Sequence, residues 1–335
     1  MTSKELITHI ESHLSKIYNS QRAPFGLYEP VFYTLGSGGK RVRPMLCCLS
    51  AKLFGDTDDA IFIASAVEIY HNHTLIHDDI MDASPIRRNK PTVFKRWGSN
   101  QAILSGDAML LMAYEELNKV KDKALLAKIY PLFTQMALLV CEGQQYDVAF
   151  EETDDVSVDQ YLQMIRLKTA ELPAYSALMG AIAGGASDED AALIYNFAVA
   201  LGLAFQLQDD YLDVYADFKV LGKPTGGDIL NNKKTFMLIS ALEKASPVQR
   251  EEATRRMINV VSADAVEMRD RTPEQLEKIN WFTALYEDLK IPQMARNMIA
   301  QFNQEALDSL QKLESKGYDV ADLKTLLQGL ENRKM

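Results

Sequence analysis

Asp78, Asp79 and Asp82 stand in the run His77-Asp78-Asp79-Ile80-Met81-Asp82, and the same spacing returns at Asp209-Asp210-Tyr211-Leu212-Asp213. Both copies read Asp-Asp-x-x-Asp inside apolar, helix-like stretches. On a helix, positions i and i+4 share a face, so Asp78 lies over Asp82 and Asp209 over Asp213. Like charges at that spacing destabilise a helix by roughly 0.2–0.5 kcal/mol per pair. Desolvation costs more, or raises the carboxyl pKa until the group is neutral. A cation offsets that cost. Carboxylates alone suit Mg²⁺ or Mn²⁺, which hold phosphates through a few carboxylates and retained waters. Two such walls would grip a diphosphate through several metal ions. A single copy is equally well a solvated helix face. The repeat tilts the balance, and so do Arg87-Arg88 and Pro91-Thr92, downstream of Asp82. Two arginines one helical turn or so beyond three aspartates suggest an anion held between metals and guanidiniums, whose planar forks suit phosphate oxygens.

The elements that must position these groups are helices. Leu104, Ala108 and Leu111, and Leu125, Ile129 and Leu132, recur at three- and four-residue spacing, and no convincing alternating strand pattern appears. Short turns punctuate the chain at Pro24-Phe25-Gly26, Gly36 to Gly39, Gly55-Asp56, Ser84-Pro85, Gly184-Gly185 and Ser246-Pro247. Ser157-Val158-Asp159-Gln160 closes an acidic loop with a capping-box pattern, and Thr2-Ser3-Lys4-Glu5 reads as another cap rather than a leader segment. The segment Asp217–Asn232 is rich in Gly and Lys and reads as mobile. The C-terminal third, from about Ser246, is charged and amphipathic and reads as outer helices without chemistry. No linker separates two cores. We expect one all-α domain over residues 1–335, a large antiparallel bundle with a central cavity of the kind in which facing helices build ligand and metal sites.

Composition narrows the partners. Net charge is −10 over 335 residues, which argues against nucleic acid but not against phosphate substrates. Local basic groups stand at Lys40, Arg41, Arg43, Arg87, Arg88, Lys168 and Lys233-Lys234. Cys47, Cys48 and Cys141 lack metal-site spacing, are no disulfide framework, and read as core residues of a cytoplasmic protein. The longest uncharged stretches, Leu172–Ser187 and Ala191–Gln208, are interrupted by Gly and Ser or by Asn and Gln. They read as buried core helices, with no stable membrane insertion.

Six blocks in order carry a resemblance. They are Gly38-Gly39-Lys40-Arg41-Val42-Arg43-Pro44, then His77 to Thr92, then Gly143-Gln144-Gln145-Tyr146-Asp147, then Lys168-Thr169, then Gly202 to Asp210 with Asp213, and finally Gly222 to Ile229. In these the chain resembles the trans-isoprenyl diphosphate synthases of the polyprenyl synthetase family. The resemblance implies the isoprenoid synthase fold, a homodimer, which is also the commonest assembly, and head-to-tail elongation. In that reaction an allylic diphosphate (dimethylallyl, geranyl or farnesyl) ionises. The double bond of isopentenyl diphosphate attacks the cation, and a proton is lost.

Carried over residue by residue, the resemblance makes Asp78, Asp82 and Asp209 the main ligands of three Mg²⁺ ions, with Mn²⁺ as an alternative. Asp79, Asp210 and Asp213 would be secondary ligands or would hold waters and basic side chains. Arg87, Lys168, Lys223 and Lys233 would bind the allylic diphosphate, the spacing from Asp228 favouring Lys233 over Lys234. Lys40, Arg43, His71 and Arg88 would bind isopentenyl diphosphate. Thr169 and Gln206 would lie along the forming cation, with Gln144 and Asp147 flanking the same site. One departure is Asn89, where the family usually has Gly; Asn is the next best residue for a left-handed turn.

In this family the side chains four and five residues before the first aspartate floor the pocket, here Thr74 and His73, together with side chains from the next helix, Met109 to Met112, and from a neighbouring subunit. Members that stop at fifteen carbons often carry aromatic rings at both positions, and those that stop at twenty often keep one bulky residue at the fifth. His73 therefore points to geranylgeranyl diphosphate (C20), with farnesyl diphosphate (C15) or a longer polyprenyl product as alternatives. Two remoter readings are a class I terpene cyclase and a non-catalytic partner subunit. The first normally has an Asn/Asp…Ser/Thr…Glu second site and no need for Lys40, Arg43 and Arg88. The second is expected to have lost acidic or basic groups, and none is lost here. Apolar helices such as Ala102–Tyr114 would supply a homodimer interface.

Overall fold

The helical periodicity of the sequence is realised along most of the described chain. The computed structural model describes residues 3–18, 21–55, 57–216, 225–258 and 271–331. Helices α1 (Ser3–Tyr18), α2 (Phe25–Leu35), α3 (Val42–Phe54) and α4 (Ala60–Met81) come first. A hairpin of β1 (Ile86–Arg87) and β2 (Lys90–Pro91) precedes α5 (Val93–Trp97), α6 (Ser99–Leu117) and α7 (Lys123–Glu151). α8 (Val158–Ile165) passes through a π-helical turn, Arg166–Ala170, into α9 (Glu171–Ala183), and α10 (Asp188–Tyr215) follows. The remainder is α11 (Gly227–Leu230), α12 (Phe236–Lys244), α13 (Pro247–Ile258), α14 (Pro273–Asp288), α15 (Ile291–Ser315) and α16 (Ala321–Glu331). Thr2 of the expected N-terminal cap, Asp56, and Gly222-Lys223-Pro224 lie outside the described residues. Of the segment 217–232 expected to be mobile, residues 225–232 are described and include α11.

The local signals act as read in some places and not in others. The Ser157 side chain accepts from Gln160 N at 3.2 Å, and Gln160 Oε1 accepts from Ser157 N at 2.9 Å, so the expected capping box opens α8. The arginine pair does not continue the helix of the first acidic motif. α4 ends at Met81, and Arg87 and Arg88 sit on the hairpin, where Arg87 pairs with Lys90. Arg88 and Asn89 have φ of 53° and 60°. Two left-handed residues make the tight turn whose twist suits a two-residue hairpin, and Asn at the second position tolerates it.

Contacts group the chain into two compact units, one of Met1–Ala137, Leu172–Tyr195 and Lys312–Leu323, the other of Leu138–Glu171, Asn196–Gln311 and Lys324–Met335. In the first, α4 packs along α6. Their closeness depends on Gly106, because a Cβ there would collide with the His77 imidazole. Fully buried Ile63, Ala64, Val67 and Ile69 line α4. In the second unit the core gathers Tyr161, Leu207, Leu230, Phe236, Phe282 and Tyr286. α14 is thus no outer helix: it buries Ile279, Phe282, Leu285 and Tyr286, each worth roughly 1.5–3 kcal/mol when removed from water.

One further expectation is corrected. Cys141 is exposed, whereas Cys47 and Cys48 are buried. Leu104 and Leu111 of α6 lie on its exposed side, at 56% and 70% exposure. Two helices, α7 and α10, are long and apolar enough to cross a membrane. The apolar window of α10, which contains most of Ala191–Gln208, is 67% buried, as expected of a core helix; that of α7 is 22% buried.

Candidate active site

In the first unit, α4 delivers the first acidic motif at its C-terminal end. Asp82 N still donates to Asp78 O at 2.8 Å, so the helical i to i+4 relation holds through the last aspartate. Asp82 is exposed, Asp78 half-buried and Asp79 buried. Arg87 Nε donates to Asp79 Oδ1 at 2.8 Å. Burial raises the Asp79 carboxyl to about 6 despite that guanidinium, with Asp78 and Asp82 adding to the rise.

A cationic cluster forms in the same unit. Arg88 Nη1 donates to Gly38 O, folding the hairpin over the Gly38-Gly39 turn that precedes Lys40. Arg43 Nη1 donates to His71 Nε2 at 3.2 Å. Burial, then Arg43 and Arg88, hold His71 well below the usual histidine range, so its imidazole is neutral. Arg41 is different. It is buried at φ 49° and donates to Glu11 Oε1 at 2.7 Å, Glu68 Oε1 at 2.6 Å and Leu35 O at 2.9 Å. Its charge is consumed structurally. Among the described residues, neither Arg43 nor Arg88 is ion-paired with a carboxylate, so both remain available to an anion.

Below the motif, His73 is 8% exposed and donates from Nδ1 to Gly106 O at 2.9 Å. His77 donates from Nε2 to Ile103 O at 3.3 Å, and the two imidazoles meet edge-on with centroids 4.6 Å apart. Thr74 Oγ1 instead donates back to His71 O at 2.8 Å.

In the second unit, the π-helical turn presents Lys168 and Thr169, a local widening of the helix that is common at functional sites. α7 approaches it closely at Gly143, where a Cβ would strike the Lys168 backbone. Lys168 Nζ donates to Asp147 Oδ2. Thr169 Oγ1 donates to Gln206 Oε1 at 3.1 Å, and Gln206 Nε2 donates to Asp210 Oδ1 at 3.0 Å. Tyr161 OH donates to Asp210 Oδ2, which also accepts from Phe236 N at 3.4 Å. Burial outweighs these donors and places Asp210 at about 6. The Lys233 charge acts on Asp210, which places that lysine's side chain within reach of the motif. Asp213 is 1% exposed and its Oδ2 accepts from Asp228 N at 3.0 Å. Asp209 and Gln144 are half-buried.

The donor set fits a hard divalent cation, because the accessible ligands are carboxylate oxygens only. Among the described residues, no three metal-ligating side chains close a site by themselves. Magnesium is commonly held by one or two carboxylates plus substrate phosphates. Asp78, Asp82 and Asp209 are the residues that would supply those carboxylates.

The blocks quoted from the sequence lie within a longer match. Residues 25–278 fit the family described as polyprenyl synthetase. The chain belongs to the polyprenyl synthetase family. This family member is 34% identical over 314 residues to the geranylgeranyl diphosphate synthase of Sulfolobus acidocaldarius, covering 92% of this chain and 91% of that one. It is 40% identical over 247 residues to the short chain isoprenyl diphosphate synthase of Methanothermobacter thermautotrophicus, covering 71% and 75%. A crystal structure of a geranylgeranyl pyrophosphate synthase matches with a TM-score of 0.87 at 41% identity, over 98% of this chain and 97% of that one. The fold is the all-α isoprenoid synthase fold, and the enzyme is a trans-prenyltransferase.

Two residues of this polyprenyl synthetase escaped the sequence reading. Tyr161 holds Asp210 across 49 residues, and no local spacing announces it. Glu68, 3% exposed, is the buried counter-charge of Arg41; it stood in α4 as a lone acid in an apolar run, which is a readable sign of a buried partner.

Proposed function

We infer that this polyprenyl synthetase condenses isopentenyl diphosphate with an allylic diphosphate, in the presence of Mg²⁺, and releases geranylgeranyl diphosphate (C20). The observation that carries the reading is the unpaired cationic pair Arg43 and Arg88 beside neutral His71. A cyclase has one diphosphate to bind; a second cation site, not ion-paired with a carboxylate among the described residues, serves a second diphosphate. Lys40, exposed beside the Gly38-Gly39 turn, completes this isopentenyl diphosphate site.

The allylic diphosphate is bound by Arg87, Lys168 and Lys233, with Lys223, outside the described residues, as a fourth group. Its C–O bond breaks and the diphosphate leaves with the electron pair. The isopentenyl double bond forms the new C–C bond, and a proton is lost. Bound Mg²⁺, three ions by family resemblance, supplies Lewis-acid stabilisation of the departing diphosphate. Fixed cations add preorganised electrostatic stabilisation. The Thr169 hydroxyl and Gln206 amide, locked to each other, present fixed oxygen dipoles along the cation. Apolar surroundings keep water from it.

His73 sets the length. Its ring is fixed by the Gly106 carbonyl one helical turn below the motif, bulky but smaller than Phe. The names of the relatives support the same C20 product. The exposed apolar stripe of Ile103, Leu104 and Leu111 on α6 supports a homodimer. Buried free thiols at Cys47 and Cys48 support a reducing, cytoplasmic setting. The test is to incubate the protein with Mg²⁺, isopentenyl diphosphate and each of dimethylallyl, geranyl and farnesyl diphosphate, and to size the products. All three starters should end at C20. A C15 stop would make it a farnesyl diphosphate synthase, and much longer chains would remove His73 as the floor. A cyclic hydrocarbon, or no isopentenyl incorporation, would overturn the reading.

A further inference from the structure

The second unit contains two buried cations that the reaction scheme above does not use. Gln275 and Lys278 lie in the first turns of α14, and Arg271 stands just ahead of its Thr272 cap. They are 7%, 6% and 4% exposed. Gln275 is occupied in the helix cap: it receives from Thr272 N at 2.9 Å, and its own N–H donates to Thr272 Oγ1 at 3.2 Å. The other two reach another segment. Arg271 Nη2 donates to Thr225 O at 2.8 Å, while its Nε and Nη1 meet no acceptor among the described residues. Lys278 Nζ donates to Asn232 Oδ1 at 2.7 Å and Leu230 O at 3.3 Å. Among the described residues, neither is ion-paired with a carboxylate, and burial lowers both pKa values. Charges are rarely buried unpaired, because desolvation is costly without a compensating interaction. Something must repay that cost.

The segment these cations grip lies between two groups of the site. Gly226 N donates to Asp213 O at 2.6 Å, and Asp228 N donates to Asp213 Oδ2 at 3.0 Å. Asp228 O in turn accepts from Lys233 N at 2.9 Å. Arg271 therefore holds the end that fixes Asp213, whose charge acts favourably on its guanidinium. Lys278 holds the end next to Lys233. Asn232, at φ 52°, is pinned from the other side by donating to Met257 O at 2.8 Å.

We propose that Arg271 and Lys278 are positioning residues for the second acidic motif, a buried cationic strut that fixes the 225–233 segment so that Asp213 and Lys233 meet the allylic diphosphate and its metal in one geometry. The proposal deepens, and rests on, the prenyltransferase reading above. It assigns chemistry to α14, whose sequence reads as charged and amphipathic only. Arg271 also offsets part of the Asp213 charge.

The test compares Arg271→Gln, Arg271→Lys, Lys278→Met and Lys278→Arg with wild type in steady-state kinetics, varying allylic diphosphate, isopentenyl diphosphate and Mg²⁺ separately, with melting temperatures measured alongside. Loss of one charged hydrogen bond predicts that Arg271→Gln and Lys278→Met each raise the allylic KM and the half-saturating Mg²⁺ concentration about tenfold. The isopentenyl KM should move by less than about twofold, and the charge-keeping variants should recover most of the loss. Variants that melt earlier but show unchanged allylic and Mg²⁺ parameters would make the strut purely structural and overturn the proposal. Equal shifts in both substrates would do the same. If Arg271→Gln does not fold, Arg271→Lys and Lys278→Arg against Lys278→Met still decide it. Absence of any elongation by wild type would instead sink the underlying reading of function.

Discussion

The two Asp-Asp-x-x-Asp motifs are the same word in two environments. The first sits at the end of α4, with Asp82 exposed and its basic partner on a hairpin. The second sits in the last turns of α10, with Asp210 and Asp213 at 4% and 1% exposure. In both, the middle aspartate is buried and raised to about 6. What holds it differs: a guanidinium for Asp79, and a phenol, an amide and a backbone N–H for Asp210. The third aspartates diverge most. Asp82 faces outward, whereas Asp213 is a structural acceptor for two backbone N–H groups, one on its carbonyl and one on its carboxylate. An identical spacing thus encodes an exposed carboxylate in one region and a buried hydrogen-bond hub in the other.

Substitution separates these roles, and the largest effects are expected here. Asp78→Ala, Asp82→Ala and Asp209→Ala should each lower kcat by roughly 10²–10³, the loss typical of one element of preorganised charge stabilisation. Asp82→Ala should leave the melting temperature unchanged or slightly higher, because one like-charge helix pair disappears, worth about 0.2–0.5 kcal/mol. Asp213→Ala should destabilise by about 1–3 kcal/mol through the buried donor it abandons. Urea titration beside the kinetics checks both. Equal stability losses at positions 82 and 213 would break the comparison.

The next contrast is between anion sites. The first region offers Arg43 and Arg88 free of carboxylates; in the second, Lys168 is paired with Asp147. Arg88→Gln should raise the isopentenyl diphosphate KM about 10–100-fold, as expected for a lost charge-assisted hydrogen bond, with the allylic KM moved by less than about threefold. Lys168→Gln should show the reverse pattern, with a smaller shift because Lys168 already has a partner to leave. Initial rates with one substrate varied at a time read both. Crossed effects would mean that Arg88 and Lys168 do not divide the substrates as assigned.

The physical reach of each signal decides what the sequence could disclose. Hydrophobic period and caps act over one or two turns, so α4, α8 and α10 are legible, as is the pairing of Asp78 with Asp82. Ser157 and Gln160 close their box as read. Asn89 fits a left-handed turn for a reason visible in its side chain, although two-residue strands around it are too short to show a period. Periodicity does not say which side of a helix the core lies on, and so Leu104 and Leu111 face outward. Net local charge does not say which cation is already spent, and so Arg41, grouped with Lys40 and Arg43 by sequence, belongs to Glu11 and Glu68. Tyr161 with Asp210 and Arg271 with Thr225 are joined across 49 and 46 residues, where spacing carries no information.

The smallest expected effect concerns proton binding. The two regions titrate alike at their middle aspartates and differ at one imidazole. Activity should fall in both as pH drops through about 6, when Asp79 and Asp210 take up protons. His73 is held at about 4, by burial first and then by His77. Its folded value lies below the ordinary histidine range, so between about 6.5 and 4 the unfolded chain binds more protons, and its contribution to stability falls as pH falls. The raised aspartates act with the opposite sign, since the folded state holds their protons more tightly. Wild type minus His73→Gln therefore isolates the imidazole: the difference in unfolding free energy should be flat above about pH 6.5 and shrink by on the order of 2 kcal/mol toward pH 4. Because His73 is neutral throughout pH 6.5–8.5, its ring keeps the bond to the Gly106 carbonyl and the product should stay the same length across that range. A product that lengthens on mild acidification, measured by sizing chains at each pH, would show that this imidazole charges inside the working range and that the floor of the first region is not the fixed element its geometry describes.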